Sequence, residues 1–254
     1  MTMETDDGTR AGEIAAALSR IRIVLVGVQH PGNIGAAARA MLTMGLTDLR
    51  LVAPRQLPDA QSVAMASSAA SVLEQARVHP DIADAVADCT RVYATTARRR
   101  DLSVPFTSPR RFAEDVAAQA VPGPIALLFG PERVGLTNQQ LGYCHEAIEI
   151  PANPEFSSLN LAASVQVMSY ELRQAVLALR PVPAEVHRPA PQAGMELFYE
   201  HLNRVVIRIG FMAADNPRRL PLRLRRLYSR AAPDDDELSI LRGILTCVER
   251  KLDA

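Results

Sequence analysis

Ile21-Arg22-Ile23-Val24-Leu25-Val26-Gly27-Val28 runs directly into Gln29-His30-Pro31-Gly32-Asn33-Ile34-Gly35, and this junction decides the fold class. A short, mostly apolar, β-branched segment reads as a strand buried in a parallel sheet. The small residues after it let a helix, Asn33–Met44, start close to another backbone. The alternation continues downstream. Leu49–Val52 reads as a strand ended by Pro54, Asp81–Ala87 as a helix, and Arg91–Thr95 as a strand. Pro109–Ala120 is a helix with Pro in its first turn, and Ile125–Phe129 is a buried strand. Thr137–Tyr143 is a short helix capped by its Thr. Ala147–Ile150 is a strand, and Ser158–Leu179 is a long helix. Such alternation predicts an α/β domain with a mainly parallel sheet.

This domain occupies residues 21–180. Residues 1–20, polar and then Ala-rich, read as an N-terminal tail with at most a short helix. The Pro-rich run Arg180–Gln192 cannot continue a helix and reads as a stiff linker, assigned to 181–193. Residues 194–254 form a small all-α module with helices over Met195–Phe211, Pro221–Ala231 and Glu237–Leu252. Asp234, Asp235 and Asp236 stand where negative charge suits the dipole of the last helix.

Composition narrows the function. The chain has 254 residues, is 48% hydrophobic and carries no formal net charge, so it has no global pull on nucleic acid or acidic lipid. Its basic charge is nearly all Arg and is clustered. Cys89, Cys144 and Cys247 form no CxxC pair, which argues against a disulfide framework or structural zinc. No apolar run reaches membrane-spanning length and no signal-peptide core is present, so a cytoplasmic location is expected.

Three polar loops follow three strands: Pro31-Gly32-Asn33-Ile34-Gly35, Phe129-Gly130-Pro131-Glu132-Arg133-Val134-Gly135-Leu136, and Asn153-Pro154-Glu155-Phe156-Ser157-Ser158-Leu159-Asn160. Each alone also has a plain structural reading. The first is a tight turn with a surface Arg at Arg39, the second a turn with a solvated Glu-Arg pair, the third a helix cap at Ser157. Asn160, read as lying inside the helix, is a poor helix former there, and its amide suits holding a ligand or a neighbouring loop. In open α/β sheets, ligands bind beyond the carboxyl ends of strands, so the three loops together suggest one composite site. None is a GxGxxG fingerprint or a P-loop.

In this order and spacing the loops resemble the motifs of the SpoU/TrmH family of RNA ribose 2′-O-methyltransferases, within the SPOUT class. Thr95–Arg100 and the tail LPLRLRRLYSRA…ILRGILTCVERK are similar to one bacterial subgroup, which methylates the ribose of a pyrimidine, C or U, at tRNA position thirty-two in the anticodon loop. The resemblance implies a deep C-terminal trefoil knot, against the usual rule, and a homodimer with sites near its interface. It implies S-adenosylmethionine as cofactor, contacted by Thr95, Thr96, Ala97, Gly130, Ile150, Ser157, Ser158 and Leu159. Arg39 falls on the position proposed as catalytic base, and Asn33, Glu132, Ser158 and Asn160 on positions that support it and the substrate ribose. Arg is almost always protonated, so Arg39 is expected to position the hydroxyl and adjoining phosphate rather than take the proton. Glu132 is expected to orient it. The leaving group is a neutral thioether, so no metal is expected.

The tRNA side falls on two basic clusters. Arg98, Arg99 and Arg100 lie beside the expected cofactor loop, and Arg219, Arg223, Arg226 and Arg230 lie in a stretch without acids. Arg223, Arg226 and Arg230 follow helical spacing and form a stripe. Two alternatives remain: the same chemistry on another tRNA position or on rRNA, and a non-catalytic RNA-binding protein that kept the fold.

Overall fold

The computed structural model describes residues 4–97, 104–118, 122–178 and 188–253. The first unit runs α1 (Glu4–Ser19), β1 (Ile21–Val26), α2 (Pro31–Met44), β2 (Asp48–Val52), α3 (Ala60–Ala66), α4 (Ala70–Glu74), β3 (Arg77–His79), α5 (Ile82–Ala85) and β4 (Arg91–Thr95). It continues with β5 (Phe106–Thr107), α6 (Pro109–Ala117), β6 (Ile125–Phe129), α7 (Asn138–Leu141), β7 (Glu146–Ile148) and α8 (Leu161–Ala178). The strands form one seven-stranded sheet, ordered β3-β2-β1-β6-β4-β7-β5, and every pair is parallel.

β1 shows why its sequence is apolar on both faces apart from Arg22. Ile21, Ile23 and Leu25 enter a core with α2, α6 and α8, while Val24 and Val26 enter a second core, on the opposite face, with Ile82, Val86 and Leu141. Each fully buried aliphatic or aromatic side chain contributes roughly 1.5–3 kcal/mol relative to exposure. α8 buries the stripe Leu161, Val165, Met168, Leu172 and Val176 along one face and leaves Tyr170 exposed on another.

The structure departs from the sequence reading in several places. Residues 4–19 form a helix rather than a loose tail, because the good helix formers Ala15, Ala16 and Ala17 lead into Leu18, which is fully buried in the first core. α3, α4 and the edge strands β3 and β5 went unread. β3 and β5 are three and two residues long, and Val78 of β3 is exposed, so neither carries a buried apolar run. α3 is held by a capping box between Asp59 and Ser62, and the Ser62 hydroxyl also donates to the Pro31 carbonyl (2.8 Å). That packing explains Gly35: a Cβ there would lie 2.0 Å from the Ser62 carbonyl oxygen.

Beyond the first unit, α9 (Gln192–Arg208), α10 (Leu220–Ala231) and α11 (Asp235–Leu252) enclose a third core around Phe198, Tyr199, Leu202, Leu238 and Leu245. Asp234 and Glu237 form a capping box at the start of α11. Residues 181–187 of the expected linker, and residues 179 and 180 before it, lie outside the described residues. Its end is docked: Gln192 N–H donates to the Cys89 carbonyl, Ala193 N–H to that of Ala87, and Ala190 N–H to that of Pro233, each at 2.8 Å. These bonds satisfy donors at the start of α9 that would otherwise be orphaned.

Candidate active site

The carboxyl ends of β4 and β6, the chain leaving β7, and the loop before α8 converge on one cavity of about 210 Å³. Thr95, Thr96 and Ala97 come from the end of β4, Gly130 and Glu132 from the loop after β6, Ile150 from beyond β7, and Ser157, Ser158 and Leu159 from the approach to α8. All eight residues on expected cofactor positions therefore line a single hollow. Phe129, Leu136 and Leu161, each nearly fully buried, give it an apolar side, and Thr95, Ser157 and Ser158 bring hydroxyls. That mixture fits an amphipathic ligand such as a nucleoside bearing a charged tail.

Gly130 is required by the folding of its own loop. A Cβ there would sit 2.4 Å from Leu136 N and 2.5 Å from the Gly135 carbonyl carbon. The loop from Gly130 to Leu136 folds back on its own start, and Gly135, at φ +65, makes the return. The walls at β4 and β7 are tied to each other and to β6: Thr96 N–H donates to the Ile148 carbonyl (3.0 Å), and the Thr95 hydroxyl to that of Leu128 (3.3 Å).

At the mouth of the cavity three residues form a hydrogen-bonded chain. Asn160 Nδ2 donates to Asn33 Oδ1 (3.2 Å), and Asn33 Nδ2 donates to Glu132 Oε1 (2.7 Å). Gln29 N–H donates to Glu132 Oε2 (3.3 Å). One residue from each polar loop thus meets the others, across 127 and 99 positions of sequence. The reading of Asn160 as a helix-interior residue is corrected: α8 begins at Leu161, and Asn160 Oδ1 caps it, accepting from Ala162 N–H (2.9 Å) and Ala163 N–H (3.3 Å). The same amide spends its oxygen on the cap and its nitrogen on Asn33. Gln29 is a participant the sequence did not reveal, because a backbone N–H leaves no side-chain signature.

Arg39 stands apart. It is exposed on α2 and borders a separate hollow with Leu42, Thr43, Ser67 and Ser68. Six residues beyond Asn33, it is roughly 9 Å along the helix and about 120° round it. Its guanidinium makes no ion pair among the described residues, and the carboxylate of Glu132 is spent on Asn33 and Gln29. Within one chain, then, Glu132 does not orient Arg39. Arg98, Arg99 and Arg100 lie outside the described residues. Arg219, Arg223, Arg226 and Arg230 all border a second cavity, against α10.

The model of the SpoU rRNA Methylase family matches residues 20–170, and that of the tRNA methyltransferase TrmJ C-terminal domain matches residues 193–254. The tRNA (cytidine/uridine-2′-O-)-methyltransferase TrmJ of Yersinia pestis is 46% identical over 239 residues, covering 92% of this chain and 93% of that protein. The crystal structure of TrmJ from Zymomonas mobilis ZM4 (TM-score 0.81, 40% identity) covers 90% of this chain and 98% of its own. An AdoMet-bound rRNA methyltransferase from Sinorhizobium meliloti shares the fold, with TM-score 0.50 and 23% identity over 62% of this chain and 57% of that one. The parallel α/β sheet is the part of the architecture that the chain shares with these solved structures. The chain belongs to the SpoU methylase family, and its last 62 residues carry the TrmJ-type C-terminal domain.

Proposed function

We propose that this protein transfers a methyl group from S-adenosylmethionine to the ribose 2′-hydroxyl of a pyrimidine at position thirty-two of the tRNA anticodon loop. The observation that supports this most is the convergence of Thr95–Ala97, Gly130, Ile150 and Ser157–Leu159 on one cavity whose mouth carries the Asn160–Asn33–Glu132 chain. The name of the Yersinia pestis relative supplies the substrate class. When bound, S-adenosylmethionine supplies a methyl already activated by its sulfonium.

The residues of this chain then have an alignment task. A ribose hydroxyl is a weak nucleophile, so its oxygen must be held in line with the methyl. Leu159, Ile150 and Leu136 offer the apolar slot for the adenine, and the hydroxyls of Ser157, Ser158 and Thr95 the polar contacts. Glu132, fixed by two donors, stands beside the cavity as the one carboxylate among the described residues of its lining. Asn33 and Asn160 hold that carboxylate and the start of α8 in register. Arg39 holds the phosphate adjoining the reacting hydroxyl. Since it does not line its own cavity, it serves the second copy of a homodimer, the assembly that the resemblance to the family implies. The protein acts in the cytoplasm.

The test is transfer of labelled methyl from S-adenosylmethionine to bulk tRNA and, separately, to rRNA, with Arg39→Ala beside the wild type. Digestion should release 2′-O-methylated C or U from tRNA, and the variant should lose it. Label appearing only in rRNA, or in a base, overturns the reading.

A further inference from the structure

The turn that leads into Ser157 ends in an aromatic side chain that the fold leaves largely uncovered. Phe156 is 79% exposed, the most exposed large apolar side chain among those described. Two other described aromatics are exposed, Tyr170 and Phe211. Tyr170 lies more than two turns into α8, and Phe211 lies in the helical module beyond α9. Among the described residues, Phe156 is therefore the exposed aromatic ring beside the methyl-transfer cavity.

An apolar ring facing water is unfavourable, yet the backbone that carries this one is held in place. Asn153, Pro154, Glu155 and Phe156 form a β-turn. Phe156 N–H donates to the Asn153 carbonyl (2.9 Å), and Glu155 N–H donates to Asn153 Oδ1 (3.1 Å). Pro154, second in the turn, fixes its φ. The next two residues, Ser157 and Ser158, line the cavity, while Phe156 itself stands outside the lining. Val134, on the loop after β6, lines the cavity and is exposed as well. The mouth therefore has apolar groups outside the slot argued for the adenine.

Three requirements of the reaction meet at this rim. The base of a nucleotide is bonded to the ribose carbon next to the one bearing the 2′-hydroxyl, so a hydroxyl aligned at the mouth brings its base to the rim. A base drawn out of a loop loses its stacked neighbours, and an aromatic side chain restores that contact. Cytosine and uracil differ in their hydrogen-bonding edges but share one ring size and a π-face, so a stacking surface accepts both. We propose that Phe156 is the stacking platform for the target pyrimidine, the residue that sets its ribose at the cavity mouth and admits C and U alike. Asn153 is the positioning residue that holds the turn behind it. The inference rests on the methyl transfer proposed above and adds the contact that selects the base.

The experiment compares the full-length wild type with Phe156→Ala, Phe156→Leu and Phe156→Tyr. Methyl transfer at saturating cofactor is measured on two tRNAs that differ only in C or U at position thirty-two. Cofactor affinity by calorimetry, mass by sedimentation and melting accompany it. A further reading uses tRNA with the fluorescent base pyrrolocytosine at that position, whose emission falls when it stacks. Phe156→Ala should raise KM for both tRNAs about tenfold and abolish the quench, with kcat, cofactor affinity, mass and melting near wild type. Phe156→Tyr should restore KM and quench. Phe156→Leu, which keeps apolar area without a π-face, should restore neither in full. An unchanged KM in Phe156→Ala overturns the platform, as does a Leu variant equal to the Tyr variant. Unequal losses on C and U overturn the reading of a face rather than an edge. A fall in cofactor affinity to match KM would make Phe156 a cover for the cofactor, and a change in mass would make it a contact between copies; either overturns the proposal. If the wild type methylates neither tRNA yet quenches the probe through Phe156, the platform stands and the proposed reaction falls.

Discussion

The two ends of the sheet carry two polar networks built on opposite plans. At the amino ends of the strands, Arg22 of β1 is buried and pairs with Asp48 (3.0 Å) and Asp88 (2.6 Å), while Arg50 shares Asp48. His79 and Asp84 extend the network outward. At the carboxyl ends, Asn160, Asn33 and Glu132 form a chain of neutral amides ending on one carboxylate, and Asn160 is exposed. The first network satisfies opposite charges within the fold around the buried Arg22. The second leaves one carboxylate and two amides at the mouth of a cavity. Buried charge that is fully paired holds a fold together, whereas exposed polar groups held in register are free to meet a substrate.

Arg22→Ala is the heaviest blow to this contrast. It strands Asp88, leaves Asp48 to Arg50 alone and opens a gap beneath β1. Breaking a buried pair costs roughly 3–5 kcal/mol, and because Asp88 is largely exposed a loss near 3 kcal/mol is expected by chemical denaturation. Methyl transfer per folded molecule should hold. The acid limb sharpens the same test. Burial raises Asp48, but hydrogen bonds from Arg50 and Arg22 more than offset this and hold it below its ordinary value. The Arg22 hydrogen bond, against burial, does the same for Asp88. Folded pKa values lowered in this way contribute stability that is present above the unfolded carboxylate range and lost as pH falls through the folded values. The variant should show a shallower acid-induced loss than the wild type. An equal stability loss in a variant at the other end of the sheet would dissolve the distinction.

Asn33→Ala reverses the expectation. It removes the middle of the amide chain and frees Glu132 from its 2.7 Å donor. Asn33 is only partly buried, so the stability change should stay within about 1 kcal/mol. Loss of alignment at a reacting centre costs on the order of a hundredfold in rate, and kcat should fall by about that factor. A large stability loss with kcat intact would make the chain a structural device like its counterpart.

What was legible follows the same division. β1, β4 and β6 announce themselves because burial on both faces forces a continuous apolar run, and the polar loops show as small and amide residues directly after them. The meeting of Asn33, Glu132 and Asn160 followed from three loops sharing one sheet edge. Periodicity did not reveal which amide caps α8, since a cap and a first helical turn differ by three residues and both tolerate Ser and Asn. Nor did it show that Arg39 lies outside the cavity lining, because its place depends on how α2 is rotated against α3 and α8. α1 was missed for a related reason: one buried Leu18 and packing against α8 hold a segment whose polar start reads as a tail.

Asn160 holds both roles at once, so the finest test separates them. Asp is as good an N-cap as Asn, and Asn160→Asp keeps an oxygen for the N–H groups of Ala162 and Ala163. α8 should stay within about 0.5 kcal/mol of its wild-type stability. The substitution does remove the Nδ2 donor to Asn33, and it sets a second carboxylate at the far end of the chain from Glu132. Asn33 would then turn its own amide toward the new acceptor and release Glu132. A kcat about tenfold below wild type, with melting unchanged, is the expected result, read from single-turnover methyl transfer beside thermal denaturation. Unchanged kcat would mean that Asn160 acts through its oxygen alone, as a cap, and that the chain relevant to catalysis begins at Asn33.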